Sequence, residues 1–333
     1  MLKGLNDDAV YYALILIFLG ATLYLWLPGL LRTSGSSTPF ISTPLNYSQV
    51  NLTILTSAKC KALCETDQVE VKLRELLVNL NVSHVEVNST EGRKLAASNG
   101  VKLVPAYVFD ESLTKSQAFP TFAQYVRNSG NGFTLSTFEV SSGYLYENEP
   151  SSDPGFELFV SSYDLNSIAF ENKTFNVLKR FNNSINVSLH LVPPKAKGNE
   201  HAADSELVED AIQLCALETG SPHVLDAVAC RSRDIASCYA ANSTALGFCA
   251  QFWQTCIDGW GLNSTEIQHC VLTRKETLLS REATYAANGS ISGVPTTLLG
   301  NQYKLVGQRD ETAILSLICA VYPSLDGCTI RAG

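Results

Sequence analysis

The segment TSAKCKALCET, residues 56–66, places Cys60 and Cys64 four positions apart, just behind the apolar run VNLTIL. A thiol where a strand passes into a helix meets free amide N–H groups and the positive end of the helix dipole, which lower its pKa. Cys60 holds that place with Lys59 and Lys61 beside it and is the expected nucleophile, while Cys64, one turn on, is the expected resolving thiol. On an ideal helix, alpha carbons four apart lie about 6.2 Å from one another, against about 5.1 Å for three apart. Disulfides form up to about 6.8 Å, so this pair can bridge, close to the limit. Three chemistries fit two such cysteines: thiol–disulfide exchange, a structural staple, and capture of a soft metal such as Cu(I). The metal reading has His84 as its third ligand, although a lone strand histidine is more commonly a solvated side chain.

The other eight cysteines, Cys215, Cys230, Cys238, Cys249, Cys256, Cys270, Cys319 and Cys328, fall in the second half of the chain. An even number of cysteines in an oxidising compartment reads as structural disulfides, and eight allow 105 pairings. Spacing favours Cys319 with Cys328, then Cys256 with Cys270 and Cys215 with Cys230. No Cys-x-x-Cys pair occurs and only His269 is near any of these cysteines, so zinc is disfavoured and no resident metal or cofactor is expected.

The compartment follows from ten Asn-x-Ser/Thr triplets, at Asn46, Asn51, Asn81, Asn88, Asn172, Asn182, Asn186, Asn242, Asn263 and Asn288. Chance at this Ser/Thr content gives about three or four, so a glycosylated exterior is expected. All ten follow AVYYALILIFLGATLYLWLPGLL, residues 9–31, an uncharged apolar run. About 20 apolar residues span a bilayer, so residues 1–33 are read as an uncleaved transmembrane anchor with the rest of the chain outside the cytoplasm. The net charge of −8 and the absence of a basic stripe exclude a nucleic-acid partner. No Gly-x-Ser-x-Gly elbow or metalloprotease helix motif points to a hydrolase.

At 333 residues with 45% hydrophobic content, the chain can build two cores. A Ser/Thr/Pro-rich stalk, residues 34–46, leads to a first domain, 47–147; ENEPSSDPG then marks a break before a second domain, 154–328. In the first, VNLTIL, VSHVEV and VKLVPAYVF read as strands, the last interrupted by Pro105, with helices between them. In the second, FELFV and INVSLHLV are strands, the latter with Ile185, Val187, Leu189 and Leu191 facing in and His190 facing out. Residues 203–284 read as mostly helical, and GVPTTLL, QYKLVG and ETAILSLICAVY return to the sheet and close it. The fold class is α/β.

A strand ending in paired cysteines, followed by helix, strand, helix and KLVPAYVF, resembles the thioredoxin/glutaredoxin superfamily. FELFVSSYDLNS, VEDAIQLCALE, WQTC, IQHC and SGVPTTLLGNQYKLVGQRDETAILSLIC resemble the DsbA-like proteins, thioredoxin folds with a helical insertion. The resemblance implies two tandem thioredoxin-like domains, the second carrying the insertion, and cis peptide bonds before Pro105 and Pro295. It implies that Val104 and Pro105, and Val294 and Pro295, line substrate-binding edges. It departs from the family in having Cys-x-x-x-Cys in the first domain and no cysteine in SYDLNS of the second, which is therefore expected to be redox-silent. The implied activity is thiol–disulfide oxidoreductase or isomerase on secreted or surface proteins with cysteines, served by a membrane redox partner. The alternatives are a non-catalytic, disulfide-stapled surface glycoprotein and a copper-delivery protein.

Overall fold

A computed structural model describes residues 48–135, 142–182, 184–193, 200–241, 253–289, 291 and 293–331. The expected anchor and stalk lie outside the described residues, and among those described no helix is long and apolar enough to cross a membrane. Mixed α/β structure is built on two sheets.

The first sheet has the order β2-β1-β4-β6-β5, from β1 (Val50–Thr56), β2 (Leu80–Glu86), β4 (Ala106–Phe109), β5 (Val126–Asn128) and β6 (Phe133–Leu135). β1 runs parallel to β2, linked by helix α1 (Asp67–Leu76), and antiparallel to β4. Successive strand side chains point to opposite faces, and β1 is buried on both. Val50, Leu52 and Ile54 join Leu73, Leu77, Tyr107 and Phe109 on one face, while Leu55 packs with Val87, Ala96, Val104 and Cys60 on the other. Helix α2 (Thr90–Ser98) starts at Ser89, whose hydroxyl accepts a hydrogen bond from Gly92 N–H, an N-cap its residue type announces. A short helix α3 (Phe119–Phe122) covers the first face.

The second sheet has the order β3-β7-β11-β10-β8-β9. Its members are β3 (Leu103–Val104), β7 (Gly143–Leu145), β8 (Gly155–Val160), β9 (Asn186–Leu191), β10 (Thr296–Leu299) and β11 (Tyr303–Val306). β8 and β9 are parallel, joined by helix α4 (Leu165–Leu178), and the other pairings are antiparallel. β3 and β7 precede the expected break at residues 147–155 yet belong to this sheet. The run KLVPAYVF therefore serves both: β3 pairs in the second sheet, β4 in the first, and Pro105, which has no N–H to give either ladder, is the joint.

Between β9 and β10 lies the helical insertion: α5 (Glu200–Glu218), α6 (Val224–Ala241), α7 (Trp253–Gly259) and α8 (Ser264–Asn288). It extends past the expected limits of 203 and 284, from Glu200 to Asn288, with Asn263 capping the start of α8. Helix α9 (Glu311–Val321), capped by Asp310, closes the chain against α4. Among the described residues, three disulfides tie these helices. Cys215 joins Cys270 between α5 and α8, Cys230 joins Cys256 between α6 and α7, and Cys319 joins Cys328 behind α9. The third is the spacing expectation; Cys256–Cys270 and Cys215–Cys230 are replaced by cross-helix pairs. Closeness in sequence is a poor guide here because the packed helices align residues up to 55 positions apart. Closing a loop of that size stabilises by about 4 kcal/mol on the chain-entropy model. Cys249 and the side chain of Cys238 lie outside the described residues.

His190 corrects a second expectation. The strand alternation holds, but the solvent face of β9 is covered by α8, so the imidazole lies stacked between Phe159 and Tyr285, at centroid distances of 4.7 and 4.5 Å. Its Nδ1 is 2.8 Å from Glu282 Oε2 and its Nε2 is 3.5 Å from Glu157 Oε2. Burial opposes the charge, but the two carboxylates outweigh it and raise the pKa from 6.5 to about 9. The imidazolium thus ties strand to helix, and its stabilisation is complete below about pH 6.5 and lost as pH rises through about 9. We expect His190→Ala to cost about 2 kcal/mol at pH 7. Thermal unfolding of the wild type should weaken between pH 7 and pH 10 more steeply than that of the variant; parallel pH curves would remove the charge from the account.

Candidate functional site

Cys60 and Cys64 form a disulfide with alpha carbons 5.4 Å apart. Residues Ala58–Cys64 form a 3₁₀ turn rather than the start of an α-helix, and α1 begins only at Asp67. The separation is shorter than the about 6.2 Å of an ideal α-helix and lies within the disulfide range, so the longer spacing is accommodated. Cys60 Sγ lies 3.6 Å from the carbonyl oxygen of Val104, and the Val104–Pro105 bond is cis, so the disulfide, the strand edge and the proline meet as expected.

The surroundings of Cys60 differ from the sequence expectation in two respects. The first N–H groups of the turn already have acceptors: Ala58 N–H donates to Glu86 Oε2 at 2.9 Å, Lys59 N–H to Ser57 Oγ, and Cys60 N–H to Ser57 O. Without a helix start there is no macrodipole directed at Cys60 either. Cys60 is also fully buried, at 0% exposure, whereas Cys64 is half-buried and Lys59 exposed. Tyr144 of β7 and Tyr303 of β11 pack over the turn, and the Tyr303 hydroxyl donates to Lys59 O at 3.1 Å. β7 pairs antiparallel with β3, Tyr144 opposite Val104 and Leu145 opposite Leu103. The edge assigned to a substrate thus already carries a strand of this chain. Glu86 and the tyrosine cover lie far from the cysteines in sequence, and no motif marks them.

His84 is not part of this site. It is the register partner of Ile54, whose side chain belongs to the opposite face of the first sheet, and its Nε2 is 3.2 Å from Glu70 Oε2. Among the described residues, the one cluster with metal-ligand geometry is Cys230, Asp234 and Cys256, whose two sulfurs are bonded to each other.

In the second sheet the equivalent turn is Ser161–Asp164, and Val294–Pro295 is cis beside it, since Thr296 pairs with Phe159. In place of cysteines, a buried polar cluster fills the space behind the turn. Asp210 accepts from the Ser162 hydroxyl, Glu171 from Ser232, and Glu206 from Ser161. Arg231, 0% exposed, pairs with Glu209 and donates through Nη2 to Ser162 O at 2.8 Å. Burial pushes Asp210 up to about 8 and Glu171 up to about 7, so both approach neutrality. These groups hold a turn and present no reactive atom to solvent. Val294 is half-buried and Pro295 buried, and a side chain on Gly293 would meet open space.

Of the triplet asparagines, Asn81, Asn88, Asn182, Asn186, Asn263 and Asn288 are exposed, while Asn51 and Asn172 are half-buried. Asn51 also spends its amide N–H on Asp110 Oδ2 at 2.9 Å. Asn46 and Asn242 lie outside the described residues.

No protein-family model and no curated protein sequence matches the chain. Among solved structures, a putative protein disulfide isomerase from Nitrosomonas europaea overlaps 52% of this chain and 98% of its own, at 10% identity and TM-score 0.40. DsbA from Pseudomonas aeruginosa overlaps 54% and 90%, at 16% identity and TM-score 0.38. Reduced DsbA1 from Neisseria meningitidis overlaps 55% and 91%, at 12% identity and TM-score 0.39. Likeness of this degree leaves the chemistry to be read from the residues of this chain.

Because Arg231 pairs with Glu209 inside that buried cluster, we expect Arg231→Met to leave Glu209 uncompensated and to cost about 3–5 kcal/mol. Adding Glu209→Gln should recover part of the loss. Urea unfolding of the three proteins measures this, and a change below about 1 kcal/mol for the single variant would refute the assignment.

Proposed function

We propose that this chain is a membrane-anchored, extracytoplasmic thiol–disulfide oxidoreductase of two thioredoxin-like modules, acting on cysteine-bearing secreted or surface proteins. One observation carries the reading: a disulfide between Cys60 and Cys64 stands 3.6 Å from the Val104 carbonyl, at a strand edge able to hold an extended chain. A client thiolate attacks Cys60, the Cys60–Cys64 bond breaks, and Cys64 leaves as thiolate. A second client thiolate then attacks the mixed disulfide. The client leaves as a disulfide and the protein as a dithiol, two electrons having passed from client to protein. Strand pairing of the client with Val104 would supply orientation, and Val294–Pro295 offers a second edge without redox chemistry. The apolar run 9–31 and the exposed asparagine triplets support an anchored, glycosylated protein.

A second reading, a stapled surface glycoprotein without catalysis, is favoured by the complete burial of Cys60 and by the acceptors already placed on the turn's N–H groups. Single-turnover oxidation of a reduced dithiol peptide separates the two. An exchanger loses at least about 100-fold of its rate in Cys60→Ser, while Cys64→Ser, given the peptide in its disulfide form, attacks that disulfide, releases one peptide thiolate and accumulates a mixed disulfide at Cys60 detectable by mass. Equal rates in wild type and Cys60→Ser would establish the staple instead. Glycosidase treatment of protein from a secreting host should remove mass from peptides containing Asn81, Asn182 or Asn263 and leave the Asn51 peptide unchanged; no mass change anywhere would overturn the exterior location.

A further inference from the structure

The pairing that ties the two sheets occupies the same edge that exchange needs. We propose that β7 is a resident occupant of the client-strand position, and that Cys60 becomes reactive only when the β3–β7 seam opens. The inference rests on the exchange reading above and concerns its control.

Strand alternation shows which groups are taken. Leu145 N–H donates to Gln302 O at 2.8 Å on the β11 side. Neighbouring residues of a strand direct their backbone groups to opposite sides, so the N–H and C=O of Tyr144 face β3, opposite Val104. Pro105 has no N–H, and Val104 is therefore the residue whose backbone pairs beside Cys60. While Tyr144 holds it, an incoming strand has nothing to bond. The Tyr144 ring, 1% exposed, packs in the cluster that contains Cys60, so the same residue that fills the edge also shields the sulfur.

The seam is close but short. An alanine Cβ at Gly143 would stand 2.4 Å from Val104 O, so the backbones approach as only glycine permits. Against this, β3 contributes two residues to the pairing. Beyond it the cover is held by Tyr146 Oη donating to Val101 O at 2.8 Å and Tyr303 Oη donating to Lys59 O at 3.1 Å. β7 itself is fixed to the second sheet, through β11 and through Asn148, whose amide donates to Asn301 O at 2.7 Å. Opening therefore separates β7, together with the second sheet, from β3, with Pro105 as the joint, and frees Val104 and Cys60 in one movement.

The test uses the full chain with two variants. Gly143→Ala pushes the seam apart, and Tyr303→Phe removes one hydroxyl link while keeping the ring. Hydrogen exchange at the Val104 and Tyr144 amides reports the seam. Reduction of the Cys60–Cys64 bond is timed with dithiothreitol and, separately, with an extended peptide carrying one cysteine. We expect faster amide exchange and at least about tenfold faster peptide attack in Gly143→Ala, and about fivefold in Tyr303→Phe, the equivalent of one hydrogen bond. Should Gly143→Ala fail to fold, Tyr303→Phe carries the comparison. A seam that opens by hydrogen exchange with peptide rates unchanged from an exchanging wild type would overturn the occupant role and leave the enzyme reading standing. If dithiothreitol is faster in the variants while the peptide never bonds to Cys60, β7 is a cover, but the exchange it was proposed to control is overturned.

Discussion

Two residues of β3 against two of β7 hold the arrangement on which the rest depends. Val104 opposite Tyr144 joins the second sheet to the first, completes the backbone pairing at the strand edge, and places an aromatic ring over Cys60. Proline at 105 makes this economical in chain length. Where a strand leaves one sheet and enters another, a residue with no N–H leaves no donor unpaired at the corner, and proline is that residue. The disulfide then sits at the corner where both sheets meet, so any movement between them changes access to it.

The two cysteine populations answer to different physics. Cys215–Cys270, Cys230–Cys256 and Cys319–Cys328 tie helices whose apolar faces are already buried in one core, and their effect is to restrict the unfolded chain. On the same chain-entropy model the Cys60–Cys64 bridge, which closes a single turn, contributes about 2 kcal/mol, about half as much as Cys215–Cys270, and it lies beside a strand edge rather than between helices. The second sheet shows the same turn put to another use. Where sulfur would stand there are serine hydroxyls bonded to buried carboxyl groups, and a paired arginine fixes the loop from behind.

Much of the fold is legible in the residues. VNLTIL, VSHVEV and INVSLHLV read as strands and form β1, β2 and β9, and Pro105 interrupts KLVPAYVF between β3 and β4. The site is legible only as a pair of sulfurs behind a strand. Its electrostatics are not legible there, because a 3₁₀ turn stands where the spacing predicts a helix start and Glu86 of β2, far off in sequence, accepts from the Ala58 N–H.

Alternation, capping and sulfur spacing are local properties, carried by residues within one or two turns of each other, and the sequence alone determined the elements, the cysteine pair and the α/β class through them. Which cysteine meets which across α5–α8, what covers His190, and which strand lies on Val104 depend on residues tens to more than a hundred positions apart. Those contacts arise only when whole faces pack. Tertiary structure therefore decided that the Cys60 sulfur is closed in, a matter on which its own segment is silent.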